Sequence, residues 1–338
     1  MNVLILADRY HEALLILNSR TCASMLPVAG RPLVEYTLDL LVGTGVTHAT
    51  VAVADHSEQI EAALGEGAAW GLELRYVQTS GHDPVTDLLP KLFPDSDEAV
   101  LVLEADRLRT QLDGLKLFLE KVAEEPEASH IEARSTRDLG FGWYRSPAKD
   151  HLEAETSFVE MPEIRCYPVD SIHRFHELNL AIANNEILGL ELHVREVEPG
   201  IYQGMHSSVP RSGLRDSGIL AASHCHIDPR AKVGPRVSMA DDVLIDRDAK
   251  LEDCVILDGT YVGAGVELKR AVVWGQTVIQ LNEDEERRSS QVIRVDDPSQ
   301  LVDLRKGPMT GFFSRVFKAA ASVLTWPLIR WETPMPNS

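Results

Sequence analysis

The chain has 338 residues, 44% of them hydrophobic and 25% charged, which is typical of a globular protein long enough for two domains. Its formal net charge of −19 excludes general nucleic-acid binding, because the phosphate backbone would be repelled. Its four cysteines form no CxxC pair, which argues against a zinc site or a disulfide framework and indicates small buried thiols.

The first 36 residues organise the rest of the chain. Residues 3–6 (VLIL) have the length and branching of a buried strand, and residues 26–36 (LPVAGRPLVEY) predict a turn that leads into a helix. In an ordinary nucleotide-binding α/β domain, a glycine-rich loop between such elements holds phosphates. Here the intervening segment has no glycine and carries Asp8 and Glu12, which would repel an anion. We therefore predict a structural segment without a triphosphate. In the alternative, Arg9 or Arg20 binds the nucleotide in an unusual geometry.

The motif LPVAGRPL, followed by Tyr36, resembles the sugar-phosphate nucleotidyltransferase family. In that family the first strand runs into AGGxGTRLxPLTxxxPKxLLPVxGxPL. Counted back without a gap, the family positions that hold the nucleotide fall on other residue types here: Asp8, Arg9, His11, Glu12, Ala13 and Ala23. The resemblance thus implies the family's fold without its phosphate-binding residues.

The next segments alternate between helix and strand. We predict a helix over 33–47, a strand over 49–54, a helix capped by Ser57, and a strand over 72–77. This order predicts an α/β domain with a doubly wound, mostly parallel sheet. The family's GTA motif, which closes over the nucleotide, falls on residues 83–85 and is absent.

Acidic residues follow the predicted buried strand over 99–103. Ligands of open parallel sheets lie at the carboxyl ends of strands, and the resemblance implies that Asp106 helps to hold magnesium. The family's second metal ligand is nearest to Asp170, which lies too early relative to the helix that follows. We expect magnesium only if the protein is an active enzyme, since this ion combines one or two carboxylates with substrate phosphates. The alternative for Asp106 is a helix cap or a salt-bridge partner.

The pattern is weaker between 110 and 165. We predict a helix over 112–124, followed by strands or turns, and the lysine of the family's sugar-binding EKP motif is replaced by Met161. A helix over 174–188 resembles the one that ends the family's catalytic domain. Residues 1–190 are therefore predicted to form the nucleotidyltransferase-like domain.

A six-residue repeat fills the second part of the chain. Apolar residues recur at Ile227, Val233, Met239, Ile245 and Leu251. Small or branched residues follow four positions later, at Ala231, Val237, Val243, Ala249 and Val255. After a one-residue slip the apolar positions resume at Ile256, Val262, Leu268 and Trp274.

This period resembles the hexapeptide left-handed β-helix, in which three short strands make each coil. We predict a linker and the entry to the β-helix over 191–222, the β-helix over 223–282 and a connecting segment over 283–308. The resemblance implies that the β-helix packs subunits together, as a homo- or hetero-oligomer. His224 and His226 could serve an acyltransferase of this fold, but three coils are few for such a site, and we interpret them as surface histidines.

Residues 309–331 place apolar side chains on one helical stripe. Five cations and no acid lie between Arg305 and Trp331, which predicts an interfacial helix on an anionic membrane surface. The alternative is a helix packed across the β-helix. Since charged residues interrupt the apolar start of the chain, we predict no signal peptide and expect a cytoplasmic protein, peripheral on the inner membrane face if the tail binds lipid.

Our leading hypothesis is a nucleotidyltransferase-like protein that has lost or reduced catalysis. It would regulate or scaffold nucleotide-sugar or cell-surface polysaccharide metabolism, a pathway that comes from the resemblance alone. Two alternatives are an active sugar-1-phosphate nucleotidyltransferase and a membrane-associated interaction module.

Overall fold

The computed structural model describes residues 1–305 except 95, 112, 148–155, 212–217 and 283–289. The predicted helix over 309–331 and the charged run over 283–288 lie outside the described residues. Among those described, no helix combines the length and hydropathy needed to cross a bilayer.

The N-terminal part is an α/β domain with a mostly parallel central sheet. Its strands, with two short pairs beside the sheet, are β1 (Asn2–Leu6), β2 (Pro27–Val28), β3 (Arg31–Pro32), β4 (His48–Val53), β5 (Glu73–Gln78), β6 (Val100–Glu104), β7 (Arg107–Arg109), β8 (His130–Arg134), β9 (Asp138–Tyr144), β10 (Thr156–Glu160) and β11 (Cys166–Pro168). The central sheet has the order β10-β8-β9-β6-β1-β4-β5, and β9 is antiparallel to both of its neighbours. Strands β1 and β6 are almost entirely buried, which explains their apolar sequences, and β4 is buried over its second half.

Helices cover this sheet and connect it to the second part. The described α-helices are α1 (Leu33–Asp39), α2 (Ser57–Leu64), α3 (Val85–Leu92), α4 (Gly114–Glu124) and α5 (Ile172–Ala183). Three 3₁₀ helices lie at Glu12–Ser19, Ala23–Met25 and Ala68–Trp70.

Several predicted helix boundaries need correction. Helix α1 ends at Asp39 rather than 47, because the chain passes into turns that bring Gly43 and Gly45 to positive φ. Ser57 does not cap α2: the N-cap is His56, at a φ of 63°, and its side chain makes no capping bond. Helix α5 begins before residue 174, because the side chain of Ser171 accepts the Arg174 N–H and caps it there.

The C-terminal part is rich in strands. They are β12 (Arg195–Glu198), β13 (Ile201–Gln203), β14 (Ile219–Ala221), β15 (His226–Ile227), β16 (Lys232–Val233), β17 (Val237–Met239), β18 (Leu244–Ile245), β19 (Lys250–Ile256), β20 (Thr260–Val262), β21 (Glu267–Trp274), β22 (Thr277–Leu281), β23 (Ser290–Arg294) and β24 (Leu301–Asp303). Strands that pair with this region also lie in the segments predicted as the linker and β-helix entry over 191–222 and as the connecting segment over 283–308.

The one-residue slip in the repeat lies before Cys254, earlier than the sequence pattern placed it. Asp253 has a φ of 51° within β19, and the ladder places Cys254 beside Ala271 in the interior. Val255, predicted to face inward, instead packs in the core shared with α5. A second left-handed residue, Arg270, precedes the same exchange in β21: Val273 is the buried partner of Ile256, and Trp274 is only half-buried. A left-handed residue inside a strand shifts which side chains face inward.

Candidate functional site

The loops after β1, β4 and β5 meet at one edge of the central sheet. They form a small open cleft, lined among others by Asp8, Asp55 and Gly81. The opening segment contributes Asp8, Arg9 and Tyr10, because β1 is central in the sheet and ends at this edge. This is where open parallel sheets bind their ligands.

Asp8 is buried in the floor of the cleft. Thr79 Oγ1 donates a hydrogen bond of 2.5 Å to Asp8 Oδ2, while Asp8 Oδ1 accepts no hydrogen bond and has Arg9 Nε at 3.6 Å. The turn closes against Gly81, where a Cβ would lie 2.7 Å from the Asp8 carbonyl oxygen. The segment that holds phosphates in glycine-rich loops is here filled by a carboxylate and its hydroxyl partner.

Of the two arginines predicted to bind the nucleotide, only Arg9 lines the cleft. Arg9 lies in the cleft, and its Nη1 donates 2.9 Å to the carbonyl oxygen of Asp83. Arg20 does not line the cleft: its Nη1 donates 3.1 Å to the Trp274 carbonyl oxygen and its guanidinium lies 5.1 Å from the centre of the Trp274 ring. Asp303 Oδ2 lies 3.5 Å from the same Arg20 Nη1 and forms an ion pair with it. The side chain of Arg20 thus joins the two parts of the chain and lies outside the cleft in which Arg9 is found.

Asp106 lies at the same sheet edge, after β6, and is almost fully buried. His11 Nε2 is 2.7 Å from Asp106 Oδ2, and Arg107 Nε is 3.2 Å from Oδ1. Burial raises the pKa of this carboxyl, but the hydrogen bond from His11 and the charge of Arg107 outweigh burial and lower it to about 2. Asp106 is therefore ionised and accepts hydrogen bonds through both of its oxygens.

Two arginines behind Asp106 were missed by the sequence reasoning. Arg107 also pairs with Glu104 and, at 3.0 Å, with Asp138. Arg109 is buried and donates to backbone oxygens, including those of Glu104 and Gly140, while burial lowers its pKa to about 10. The alternation Arg-Leu-Arg after a buried strand is the only sequence signal for them, and it does not distinguish buried cations from exposed ones.

Backbone pairing brings the segment that contains Asp170 next to Asp106. The Val169 N–H donates 2.8 Å to the Asp106 carbonyl oxygen, and β11 pairs with β7. The carboxylate of Asp170, however, forms an ion pair with Arg174 on the first turn of α5. The fold brings the two predicted metal ligands into one region, each neutralised by a side chain of the same protein.

The residues at this edge do not fit a magnesium site. Both Asp106 oxygens accept from His11 and Arg107, and Asp170 is occupied by Arg174. Within the described ranges, no group of three or more His, Cys, Asp or Glu residues is arranged to hold a metal ion. A divalent ion would also meet the charges of these two arginines.

Residues 12–171 match the family model described as nucleotidyl transferase. A CMP-5′-(3-aminopropyl)phosphonate synthase from Streptomyces rubellomurinus is 32% identical over 42% of this chain and 22% of its own length. An N-acetylmuramate alpha-1-phosphate uridylyltransferase from Neisseria meningitidis is 32% identical over 39% of this chain and 57% of its own length. A glucose-1-phosphate thymidylyltransferase from Streptomyces griseus is 29% identical over 24% of this chain and 22% of its own length.

The similarity covers between 22% and 57% of the length of these relatives. A solved structure of a putative glucose-1-phosphate thymidylyltransferase from Bacillus anthracis aligns with 53% of this chain and 94% of its own, at a TM-score of 0.45 and 13% identity.

Proposed function

Residues 12–171 belong to the nucleotidyl transferase family, and from this premise we propose that the chain is a catalytically degenerate relative of the sugar nucleotidyltransferases. It regulates or scaffolds nucleotide-sugar or cell-surface polysaccharide metabolism. One observation carries this proposal: the carboxylate that would hold magnesium, Asp106, is bound by His11 and Arg107. The family's reaction places a triphosphate and a cation where this chain has its own ion pair.

The opening turn supports the same proposal. Glycine lets a phosphate approach the backbone because it has no Cβ, whereas this turn carries Asp8, Arg9 and His11 at the corresponding positions. Asp8 is fixed by Thr79 inside the cleft. A triphosphate seated there would meet a buried carboxylate at close range, which is unfavourable at the low effective dielectric of such a site.

The alternative is an active sugar-1-phosphate nucleotidyltransferase, and the names of the relatives favour it. In that case a sugar phosphate oxygen attacks the α-phosphate of the nucleotide and pyrophosphate leaves. Arg9, which lies in the cleft, would contact the phosphates. Residues Asp106 and Asp170 would have to release their arginine partners to hold magnesium.

One experiment separates the two. Nucleoside triphosphates with magnesium are titrated into the full chain by calorimetry, and pyrophosphate release is measured over a panel of sugar 1-phosphates. We expect no saturable nucleotide binding and no turnover. Turnover that Asp106→Ala abolishes and that the exposed control Glu98→Gln retains would contradict the proposal and establish the enzyme.

We also propose that the strand-rich part is a left-handed β-helix of the hexapeptide class that joins subunits. The short strands pair in parallel at offsets of 18 and 17 residues, as in His226 with Leu244 and Val237 with Cys254. Three hexads per coil account for the offset of 18, and the one-residue slip in the repeat accounts for the offset of 17. Light scattering on the full chain tests the assembly, and a monomer at all concentrations would contradict it.

For the C-terminal segment we propose an interfacial helix over 309–331. Its support is the sequence: an apolar stripe, and five cations without an acid between Arg305 and Trp331, in a chain of net charge −19. The test is co-sedimentation with vesicles containing anionic lipid, with and without residues 309–338. Equal binding of both forms would exclude a role for the tail.

A further inference from the structure

The cleft beside the opening turn contains a carboxylate oxygen without a hydrogen-bond donor. Asp8 is 4% exposed, and its Oδ1 has no hydrogen-bond partner within the described structure. The nearest cation, Arg9 Nε, is 3.6 Å away, and its Nη1 is directed to the carbonyl oxygen of Asp83. A buried carboxylate oxygen left in this state favours any ligand that supplies a donor.

The other side chains that line the cleft also favour a positively charged ligand. Its lining holds two carboxylates, Asp8 and Asp55, against one guanidinium, Arg9, which gives a formal charge of −1 with neutral histidines. The exposed rim carries Tyr10 and His82, whose rings meet edge to face with centroids 5.6 Å apart. An aromatic face near a carboxylate attracts a cation.

From this arrangement we infer that the cleft binds a small organic ammonium compound instead of a polyphosphate. The ammonium donates to Asp8 Oδ1 and interacts with the charge of Asp55 and the ring of Tyr10. Arg9 turns further toward Asp83 to admit it. This inference rests on the proposed function, because it concerns the same sheet edge, and it names the ligand class that replaces the nucleotide.

The test compares two ligands that differ in one group. Glucosamine and glucose share the pyranose ring, and only glucosamine carries an ammonium below the pKa of its amine. Each is titrated into the full chain by calorimetry at the same ionic strength. We expect glucosamine to bind about tenfold or more tightly than glucose, since a charge-assisted bond to a buried carboxylate exceeds a neutral one.

Three variants locate the site. Asp8→Asn retains an acceptor for Thr79 but loses the charge, and should remove the preference for glucosamine. Asp55 is exposed, so Asp55→Asn cannot unfold the floor and should reduce the preference about threefold by loss of one charge. Glu73→Gln removes an exposed carboxylate on β5 outside the cleft and should leave the preference unchanged.

Equal affinities for the two sugars, or a preference that survives Asp55→Asn in full, would overturn the inference. Uridine triphosphate with magnesium serves as a third ligand. If it binds and releases pyrophosphate when a sugar 1-phosphate is added, the proposed function fails. If it does not bind and the two sugars remain indistinguishable, the degenerate transferase stands and only the ammonium site is lost.

Discussion

At the residue scale, the imidazole of His176 shows how burial fixes a charge state. It lies between α5 and β19, and its Nε2 is 2.8 Å from the Asp253 carbonyl oxygen. Burial lowers the pKa of His176 from 6.5 to about 4, although the bond to Asp253 opposes this. The ring is therefore neutral near pH 7 and donates through Nε2.

Protonation of His176 should limit stability in acid. Its folded pKa lies below its unfolded pKa, so the unfolded chain binds more protons and folding weakens as pH falls from about 6.5 toward 4. The loss should reach about 3 kcal/mol of unfolding free energy at the folded pKa. Urea unfolding across this pH range should show that the unfolding free energy depends less steeply on pH in His176→Gln than in the wild type. The exposed control His48→Gln should keep the wild-type dependence on pH. If His176→Gln also kept the wild-type dependence, the assignment to His176 would be contradicted.

Two glycines with the same positive φ provide a matched test of the opening turn. Gly81 and Gly43 both have a φ of 77°, but a Cβ at Gly81 would lie 2.7 Å from the Asp8 carbonyl oxygen, and one at Gly43 would meet nothing within 4 Å. Both alanine variants should lose about 1–2 kcal/mol to left-handed strain.

Gly81→Ala should lose a further 1 kcal/mol or so, because backbone atoms must move apart. Thermal unfolding of the two variants measures the difference. Equal losses would show that the turn relaxes freely around Asp8.

At the element scale, α5 holds the α/β domain against the strand-rich part. Asn179 is central to this role: its Oδ1 accepts from the Ala29 N–H at 3.1 Å and from Ser238 Oγ at 3.3 Å. Its Nδ2 donates to Pro27 and Phe175 carbonyl oxygens. One buried amide therefore joins the β2–β3 hairpin, its own helix and β17.

Asn179→Ala should cost about 1–3 kcal/mol of unfolding free energy, since it leaves buried polar groups on both sides of the helix without a partner. Glu177→Ala, at an exposed position of the same helix, controls for helix propensity. Denaturant unfolding of both variants makes the comparison. A loss no larger than that of Glu177→Ala would show that the amide does not join the parts.

At the scale of the whole molecule, a continuous core crosses between the two parts. One buried cluster contains Leu17 and Val28 from the α/β domain, Phe175 from α5, and Leu220 and Val255 from the strands. Arg20 extends the contact through Trp274 and Asp303. Shared burial of this kind couples the stabilities of the elements that share it.

The two parts should therefore unfold together. We expect hydrogen exchange of the most protected amides in β1 and in β19 to report the same opening free energy, and denaturant to shift both equally. The substitution Phe175→Ala in the shared core should lower the opening free energies of the β1 and β19 amides by the same amount, about 3–5 kcal/mol. Protection lost in β19 alone would indicate independent domains.

Local pattern was sufficient for much of this architecture. The apolar runs at residues 3–6 and 99–103 predicted strands that the structure confirms, because a strand buried on both faces must be apolar throughout. The motif LPVAGRPL likewise predicted the nucleotidyl transferase domain, whose family model matches residues 12–171. The acidic, glycine-free opening turn was evident from sequence, because charge and missing glycine are properties of the residues themselves.

Tertiary structure alone decided which residues meet. Asp106 pairs with His11, 95 positions earlier, and Arg20 reaches Trp274, 254 positions later. Such contacts depend on strand order and loop closure, which leave no periodic trace in sequence. The left-handed Asp253 that exchanges Cys254 for Val255 in the interior is equally invisible, since hydrophobicity permits both residues to be buried. The sequence thus determined the scaffold and the charge of its opening turn, while the fold determined that Asp106 is bound by His11 and Arg107 of its own chain.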